Sequence, residues 1–138
     1  MRNKKLHFLI LLILTGSLLI QNNIHANVLN WGEIEQKTIK IGKASWYSMQ
    51  DPGINKHTAN NEIFDDSGLT AAMWDVPFNQ LVRVTNFENG KSVIVRINDR
   101  GPHKRFVQRG RIIDLSKYAF SEIAPLNDGL IDIRLELL

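Results

Sequence analysis

Apolar and polar residues alternate along several short stretches of the chain, which is typical of β-strands with one buried face. The alternation is clearest over residues 81–86 (Leu-Val-Arg-Val-Thr-Asn) and 92–97 (Ser-Val-Ile-Val-Arg-Ile). Asn89-Gly90 lies between the two stretches, and this dipeptide supplies the positive φ angles of a tight turn. The sequence therefore predicts a β-hairpin here.

Weaker patterns predict the remaining elements, namely strands over 40–47, 110–114 and 130–137, and either a helical turn or a buried strand end over 69–74. Apolar residues at 115, 119, 120 and 123 predict a helix over 115–123, with Asp114 as its N-cap. Five or six short strands with one helix indicate a mainly β protein, a small closed barrel.

Two long polar segments, 48–68 and 98–109, separate these elements. The first is rich in turn residues and the second is strongly basic. Long loops inside a small domain are more often functional than idle. We therefore look for chemistry in these two segments.

The N-terminal residues have the pattern of an export signal. Arg2, Lys4 and Lys5 precede a mainly apolar stretch over 6–20, and Ala26 ends a cleavage site. Fifteen residues are fewer than the roughly 20 that span a bilayer, although an uncleaved membrane anchor is the alternative. We predict a signal peptide over 1–26, a lead-in over 27–39 and one domain over 40–138.

Charge and composition remove several classes of function. The chain carries 17 basic and 14 acidic residues, but three of the basic ones lie in the signal segment. The remaining domain is neutral, so nucleic acid is not an expected partner. The absence of cysteine excludes disulfides, thiolate metal sites and lipid attachment through cysteine. His57 and His103 have no metal-ligand spacing, so we expect neither a metal nor another cofactor.

Two carboxylates in the polar segments could carry chemistry. Asp99 lies between Arg96 and Arg100, and Glu62 precedes two apolar residues. Asp99 is either held in a structural ion pair or acts as a general acid or base at a groove, and nearby cations would make it a poor proton donor. Glu62 is either a solvated loop residue or part of the same groove. The aromatic side chains of Trp46, Tyr47 and Trp74 could stack on sugars or belong to the core.

A series of motifs resembles the rare lipoprotein A (RlpA) family in order and spacing. The match runs from about Ile41 to Leu138. Its most specific part is Val-Arg-Ile-Asn-Asp-Arg-Gly-Pro over 95–102, and the other parts are 42–47, 58–64, 69–72, 77–78, 82–86, 89–90 and 111–116.

This resemblance implies a six-stranded double-psi β-barrel with one or two short helices and an open groove. It also implies an exported, monomeric protein of the periplasm or cell envelope, with envelope or division proteins as further partners. Its activity would be endolytic transglycosylation in cell-wall remodelling. The enzyme would cleave β-1,4 bonds between N-acetylmuramic acid and N-acetylglucosamine in peptide-free peptidoglycan strands, leaving 1,6-anhydro ends.

Site residues follow from the same resemblance. Asp99 and Glu62 would be catalytic, Asp99 as the acid and then the base. The substrate would be bound by Trp46, Tyr47, Thr58, Asn60, Arg100 and His103.

The chain departs from the family pattern at several positions, among them Val76 and Gln80 in the segment that matches Leu-Pro-Phe-Gly-Thr. Met73 replaces a histidine that follows Leu-Thr-Ala-Ala, and Asn61 and Asn79 replace glycines. Methionine cannot transfer a proton, so the alternative function is a non-catalytic module that binds glycan in the same groove. A small anchored structural protein is the third hypothesis, and it requires the signal segment to remain in place.

Overall fold

Six β-strands form the body of the computed structural model, which describes residues 38–138. They are β1 (Ile39–Tyr47), β2 (Thr70–Ala72), β3 (Leu81–Asn86), β4 (Ser92–Asp99), β5 (Arg111–Ser116) and β6 (Leu130–Leu137). Two short helices, α1 (Lys104–Val107) and α2 (Lys117–Ser121), and one 3-10 turn (Leu126–Asp128) complete the described part. The predicted mainly β class is confirmed.

The strands close into a barrel in the order β1-β5-β2-β4-β3-β6. The pairs β1–β5 and β2–β4 are parallel, and the other four pairs are antiparallel. Strand β5 lies between β1 and β2, and β2 lies between β4 and β5. The connections 48–69 and 100–110 must therefore each cross an intervening strand. We call them the first and second crossing loops.

The predicted hairpin is confirmed. Strands β3 and β4 pair with Val82 opposite Val95 and Val84 opposite Val93, and all four side chains are buried. Gly90 in the turn has φ 71°. The alternation of apolar and polar residues predicted this hairpin correctly, because every second side chain of each strand points towards the core.

The predicted helix over 115–123 is wrong in its extent. Strand β5 continues to Ser116, because Ile113 and Leu115 both point into the barrel and are fully buried. The N-cap of α2 is Ser116, whose Oγ accepts a hydrogen bond from the Ala119 N–H at 3.2 Å. Asp114 is thus a strand residue rather than a helix cap. The segment 98–109 is also more ordered than a loop, since it contains the end of β4 and all of α1.

A small second core fixes the first crossing loop to the barrel. Phe64 of this loop stacks on Tyr47 of β1, with ring centroids 4.4 Å apart, and Ala72 of β2 and Ile54 pack beside them. Burying an aromatic ring of this size stabilises a fold by roughly 1.5–3 kcal/mol. The loop is therefore anchored in its middle as well as at its ends.

The barrel begins at Ile39, one residue before the predicted domain boundary. The predicted signal peptide and nearly all of the lead-in segment lie outside the described residues. Across residues 38–138, no helix is long and apolar enough to cross a membrane.

Candidate functional site

A cleft of about 370 Å³ lies where the first crossing loop meets the end of β4. The loop runs beside the strand there, and the Asn60 N–H donates to the Asn98 carbonyl at 3.2 Å. The cleft is lined by Gly53, Ile54, Asn55, His57, Thr58, Ala59, Asp99 and Arg100. The structure thus brings residues 40 positions apart in sequence to one wall.

Asp99 is the last residue of β4, and backbone groups hold its carboxylate. Its Oδ1 accepts hydrogen bonds from the N–H groups of Ala59, at 2.9 Å, and Arg100, at 2.7 Å. The Asp99 carbonyl accepts a third bond from the Met73 N–H at 3.1 Å. The carboxylate therefore has a fixed position on the cleft wall, one oxygen being held by two amides.

The two arginines that flank Asp99 in sequence bind other groups. Arg100 donates from Nη1 to the Met73 carbonyl at 3.0 Å, and its guanidinium lies 3.7 Å from the centre of the Phe78 ring. Arg96 pairs with Glu62. The structural ion pair considered for Asp99 is therefore not formed, and this interpretation is wrong.

Glu62 lies in a dense set of hydrogen bonds. Arg96 donates to both of its oxygens at 2.8 Å, and the side-chain amides of Asn98 and Asn60 donate at 3.0 and 2.9 Å. The bonds from Arg96, and then those from Asn98 and Asn60, lower the pKa of Glu62 to about 2. Glu62 is thus a fixed anion at neutral pH and cannot act as a proton donor there.

A second carboxylate, Asp114, lies close to Asp99. Ala72 of β2 is opposite Asp99 on one neighbouring strand and opposite Asp114 on the other. Asp114 is buried, and the Arg111 Nε–H donates to its Oδ1. Burial raises the pKa of Asp114, Arg111 lowers it, and the charge of Asp99 raises it further. The site therefore contains a carboxyl group that is easier to protonate than an exposed aspartate.

Tyr47 lies close to both carboxylates, and Gly101 lies close to Asp114. Burial, and then the charges of Asp99 and Asp114, raise the pKa of the Tyr47 hydroxyl, which stays protonated. A Cβ on Gly101 would lie 3.0 Å from the Ala72 Cβ and 3.5 Å from Asp114 Oδ2. Gly101 thus comes close to Asp114 because it has no side chain.

Sequence reasoning missed Asp114 as a site residue because it was interpreted as a helix cap. The signal was available: Asp114 is a lone acidic residue between Ile112-Ile113 and Leu115. A carboxylate within an apolar strand pattern is either paired or functional.

Five of the predicted site residues lie together at the cleft and around Glu62. They are Thr58, Asn60, Glu62, Asp99 and Arg100. Thr58 donates to Asn60 Oδ1 at 2.6 Å, and this contact orients the Asn60 amide towards Glu62. Tyr47 is nearby but buried, next to Asp99.

The other two predicted substrate-binding residues lie elsewhere. Trp46 packs against the main core, and its indole N–H donates to the Leu126 carbonyl at 3.1 Å. His103 caps α1, and its Nδ1 accepts from the Arg105 N–H at 3.3 Å. Neither side chain lines the cleft.

Met73, at the position of the family histidine, has its side chain in the main core and is only 2% exposed. Its backbone contacts both Asp99 and Arg100, as described above. This position therefore supports the cleft through its peptide groups.

A metal site would need several His, Asp or Glu side chains close together. Between residues 38 and 138, no three His, Asp or Glu side chains are grouped as metal ligands would be.

The strand order and the two crossing loops define a double-psi β-barrel, here with a cleft at the end of β4. Residues 39–135 match the family described as "Lytic transglycolase", and the chain belongs to this family.

Curated relatives agree with this assignment. The chain is 46% identical over 102 residues to the "Probable endolytic peptidoglycan transglycosylase RlpA" of Synechocystis, which covers 73% of this chain and 30% of that protein. It is 44% identical over 97 residues to the "Endolytic peptidoglycan transglycosylase RlpA" of Vibrio cholerae, with 70% and 35% covered. The chain thus spans about a third of the length of these relatives.

Solved structures share the fold. The Streptomyces papain inhibitor superposes with a TM-score of 0.57 at 24% identity, covering 73% of this chain and 94% of the inhibitor. An expansin from Clavibacter michiganensis, solved in complex with cellohexaose, gives 0.54 at 20% identity, covering 73% and 50%. At these identities the likeness concerns the barrel alone.

Proposed function

We propose that this domain is an endolytic lytic transglycosylase of peptidoglycan. It would cleave the β-1,4 bond between N-acetylmuramic acid and N-acetylglucosamine in peptide-free strands. The proposal rests on the surroundings of Asp99. This residue lines the cleft, and two backbone amides donate hydrogen bonds to its Oδ1. The side chains of both neighbouring arginines bind other groups. Family membership and the names of the relatives support the same chemistry.

The reaction needs one group that first gives and then takes a proton. Protonated Asp99 donates its proton to the glycosidic oxygen, and the bond from this oxygen to C1 of N-acetylmuramic acid breaks. The 6-hydroxyl of the same sugar attacks C1 and returns its proton to Asp99. The products are a 1,6-anhydro end and a free 4-hydroxyl on N-acetylglucosamine. Because the nucleophile belongs to the substrate, no activated water is required.

The neighbouring groups have supporting roles in this proposal. Glu62, whose charge is paired with that of Arg96, would orient the substrate through Asn60 and Asn98 beside the cleft. Arg100 lines the cleft, where the N–H groups not bonded to Met73 could donate to sugar oxygens. Asp114 and Tyr47, which are buried close to Asp99, would set the electrostatic surroundings of its carboxylate.

Met73 favours a second candidate function, a module that binds glycan without cleaving it. The family histidine is absent, and the thioether that replaces it carries no proton. Asp99 would then only accept hydrogen bonds from sugar hydroxyls.

We propose that the protein works in the cell envelope, where its substrate is found. Export by residues 1–26, a monomeric state and recruitment by envelope or division proteins belong to this proposal as well.

The decisive experiment incubates the purified protein with peptide-free peptidoglycan and detects 1,6-anhydro ends by mass spectrometry. We expect wild type to produce them and Asp99→Asn to lose at least about 10²-fold in rate while still binding strands. Asp132→Asn is the matched control, since Asp132 is exposed and pairs with Lys43. Binding without product in wild type would favour the module, and unchanged turnover in Asp99→Asn would exclude Asp99 as the acid.

A further inference from the structure

Trp74 forms one wall of a groove of about 420 Å³. The other lining residues are Asp75, Lys104, Val107 and Gln108. The Trp74 side chain is 37% exposed. By contrast, Trp46 packs against the main core and Tyr47 stacks on Phe64. Of the three aromatic residues considered for sugar stacking, Trp74 is therefore the most exposed to a ligand.

The indole of Trp74 is held in place from several sides. Its Nε1–H donates to the Pro102 carbonyl at 2.7 Å. Met73 before it and Val76 after it are both buried, and Asp75 between them adopts φ 61°. A ring already fixed in this way loses little conformational entropy when a ligand packs on it.

Two hydrogen bonds connect the surroundings of the groove with those of the cleft. Trp74 follows Met73, whose carbonyl accepts the hydrogen bond from Arg100, and Trp74 itself bonds to Pro102. Arg100 lines the cleft, and Pro102 is two residues further along the second crossing loop. Trp74 and Arg100 are therefore near enough for one linear polymer to contact both.

The lining of the groove suits a sugar ring. The indole and Val107 provide an apolar surface, and Asp75, Lys104 and Gln108 provide hydrogen-bonding groups around it. The carboxylate of Asp75 and the ammonium group of Lys104 have opposite charges, so the lining of the groove has no net charge. A sugar presents C–H groups on its faces and hydroxyl or acetamido groups at its edge, which matches an apolar wall with a few polar groups around it.

We propose that this groove is a subsite for an N-acetylhexosamine ring of the glycan strand, which stacks on Trp74. The inference rests on the proposed function in one respect, namely that the same strand occupies the cleft. It does not require cleavage, because a binding module would use the subsite equally. Trp74 is thereby a residue that favours long strands over short fragments.

The test measures binding of peptide-free glycan strands by co-sedimentation, using the full protein with Asp99→Asn so that strands remain intact. We expect Trp74→Ala to weaken binding roughly threefold to tenfold, the range of one aromatic stacking contact. Trp74→Phe should be intermediate, since it keeps a ring but loses the bond to Pro102. Tyr118→Ala is the control, because Tyr118 is also an exposed aromatic residue but lies on α2.

Thermal unfolding of each variant shows whether it is folded. If Trp74→Ala does not fold, the comparison is made with Trp74→Phe instead. Equal binding by folded Trp74→Ala and its parent overturns the subsite, as does an equal loss in Tyr118→Ala. Failure of the proposed function is seen separately, as the absence of 1,6-anhydro ends with wild type. Strand binding that depends on Trp74 supports the subsite whether or not those ends are formed.

Discussion

At the scale of single residues, two departures from the family pattern turn out to be conformationally conservative. Asn61 and Asn79, which replace glycines, have φ 71° and 67°. Apart from glycine, asparagine is among the few residues that adopt this left-handed region readily. Asn79 adds a contact that glycine could not make, since its Oδ1 accepts from Arg96 at 2.8 Å. These substitutions therefore preserve the backbone of the site.

Replacement of Asn61 tests this explanation. We expect Asn61→Gly to be close to wild type in stability and Asn61→Ala to lose about 1–2 kcal/mol, because alanine pays the full steric cost of a positive φ. Urea unfolding of the two variants measures the difference. Equal stabilities would show that the backbone at residue 61 relaxes to another conformation.

Glu62 makes a pH-dependent contribution to stability. Its pKa is about 2 in the folded protein and near 4.5 in the unfolded chain, so the ionised form is favoured by folding. This stabilisation is complete above about pH 5 and is lost as the pH falls from about 4.5 towards 2. We expect Glu62→Gln to be less stable than wild type at pH 7 and the difference to shrink at pH 3.

Urea unfolding at pH 7, 5 and 3 measures this change. Glu122→Gln is the control, because Glu122 is an exposed glutamate outside the cleft. A difference between wild type and Glu62→Gln that is constant over this range would contradict the proposed network around Glu62.

At the scale of elements, the short strand β2 organises the site. Its three residues lie between β4 and β5, and Ala72 is opposite Asp99 on one and Asp114 on the other. The next residue, Met73, sends its side chain into the main core while its peptide groups bind Asp99 and Arg100. Packing of the core thus fixes the positions of polar groups at the cleft.

Met73→His tests whether this side chain can reach the cleft. We expect the variant to lose about 1–3 kcal/mol in stability, because the imidazole would be buried among apolar groups. We also expect no increase in 1,6-anhydro ends. Met73→Leu, the apolar control, should remain within about 1.5 kcal/mol of wild type. Greater turnover in Met73→His would mean that residue 73 contacts the substrate and that the family histidine was the missing proton carrier.

At the scale of the whole molecule, the six described strands form a closed barrel. Strand β1 begins at Ile39 and pairs with β6 from that residue onwards. We expect residues 38–138, expressed alone, to unfold in one cooperative transition, as small domains with a single closed core generally do. Calorimetry or urea unfolding measures this. A broad, non-cooperative transition would show that the barrel needs the preceding segment.

Local patterns determined most of the strands. The hairpin and the final strand could be predicted because alternation reports which face of a strand is buried, and Asn-Gly specifies a turn within a few residues. The family motifs additionally led to the double-psi barrel and to five residues around the cleft. Strand β5 and helix α2 were harder, because an apolar stretch of mixed period fits either structure until the core to be filled is known.

Only the tertiary structure decided which groups pair within the site. Alternation does not say which strand is the neighbour, so the parallel pairs β1–β5 and β2–β4 could not be obtained from it. In the folded chain Arg96 pairs with Glu62, 34 residues away, rather than with Asp99, and the position of β2 between β4 and β5 places Asp114 near Asp99. The fold also buries Tyr47 and leaves Trp74 exposed. Hydrogen bonds and burial depend on distances of a few ångströms between segments far apart in sequence, and the closure of the barrel sets those distances.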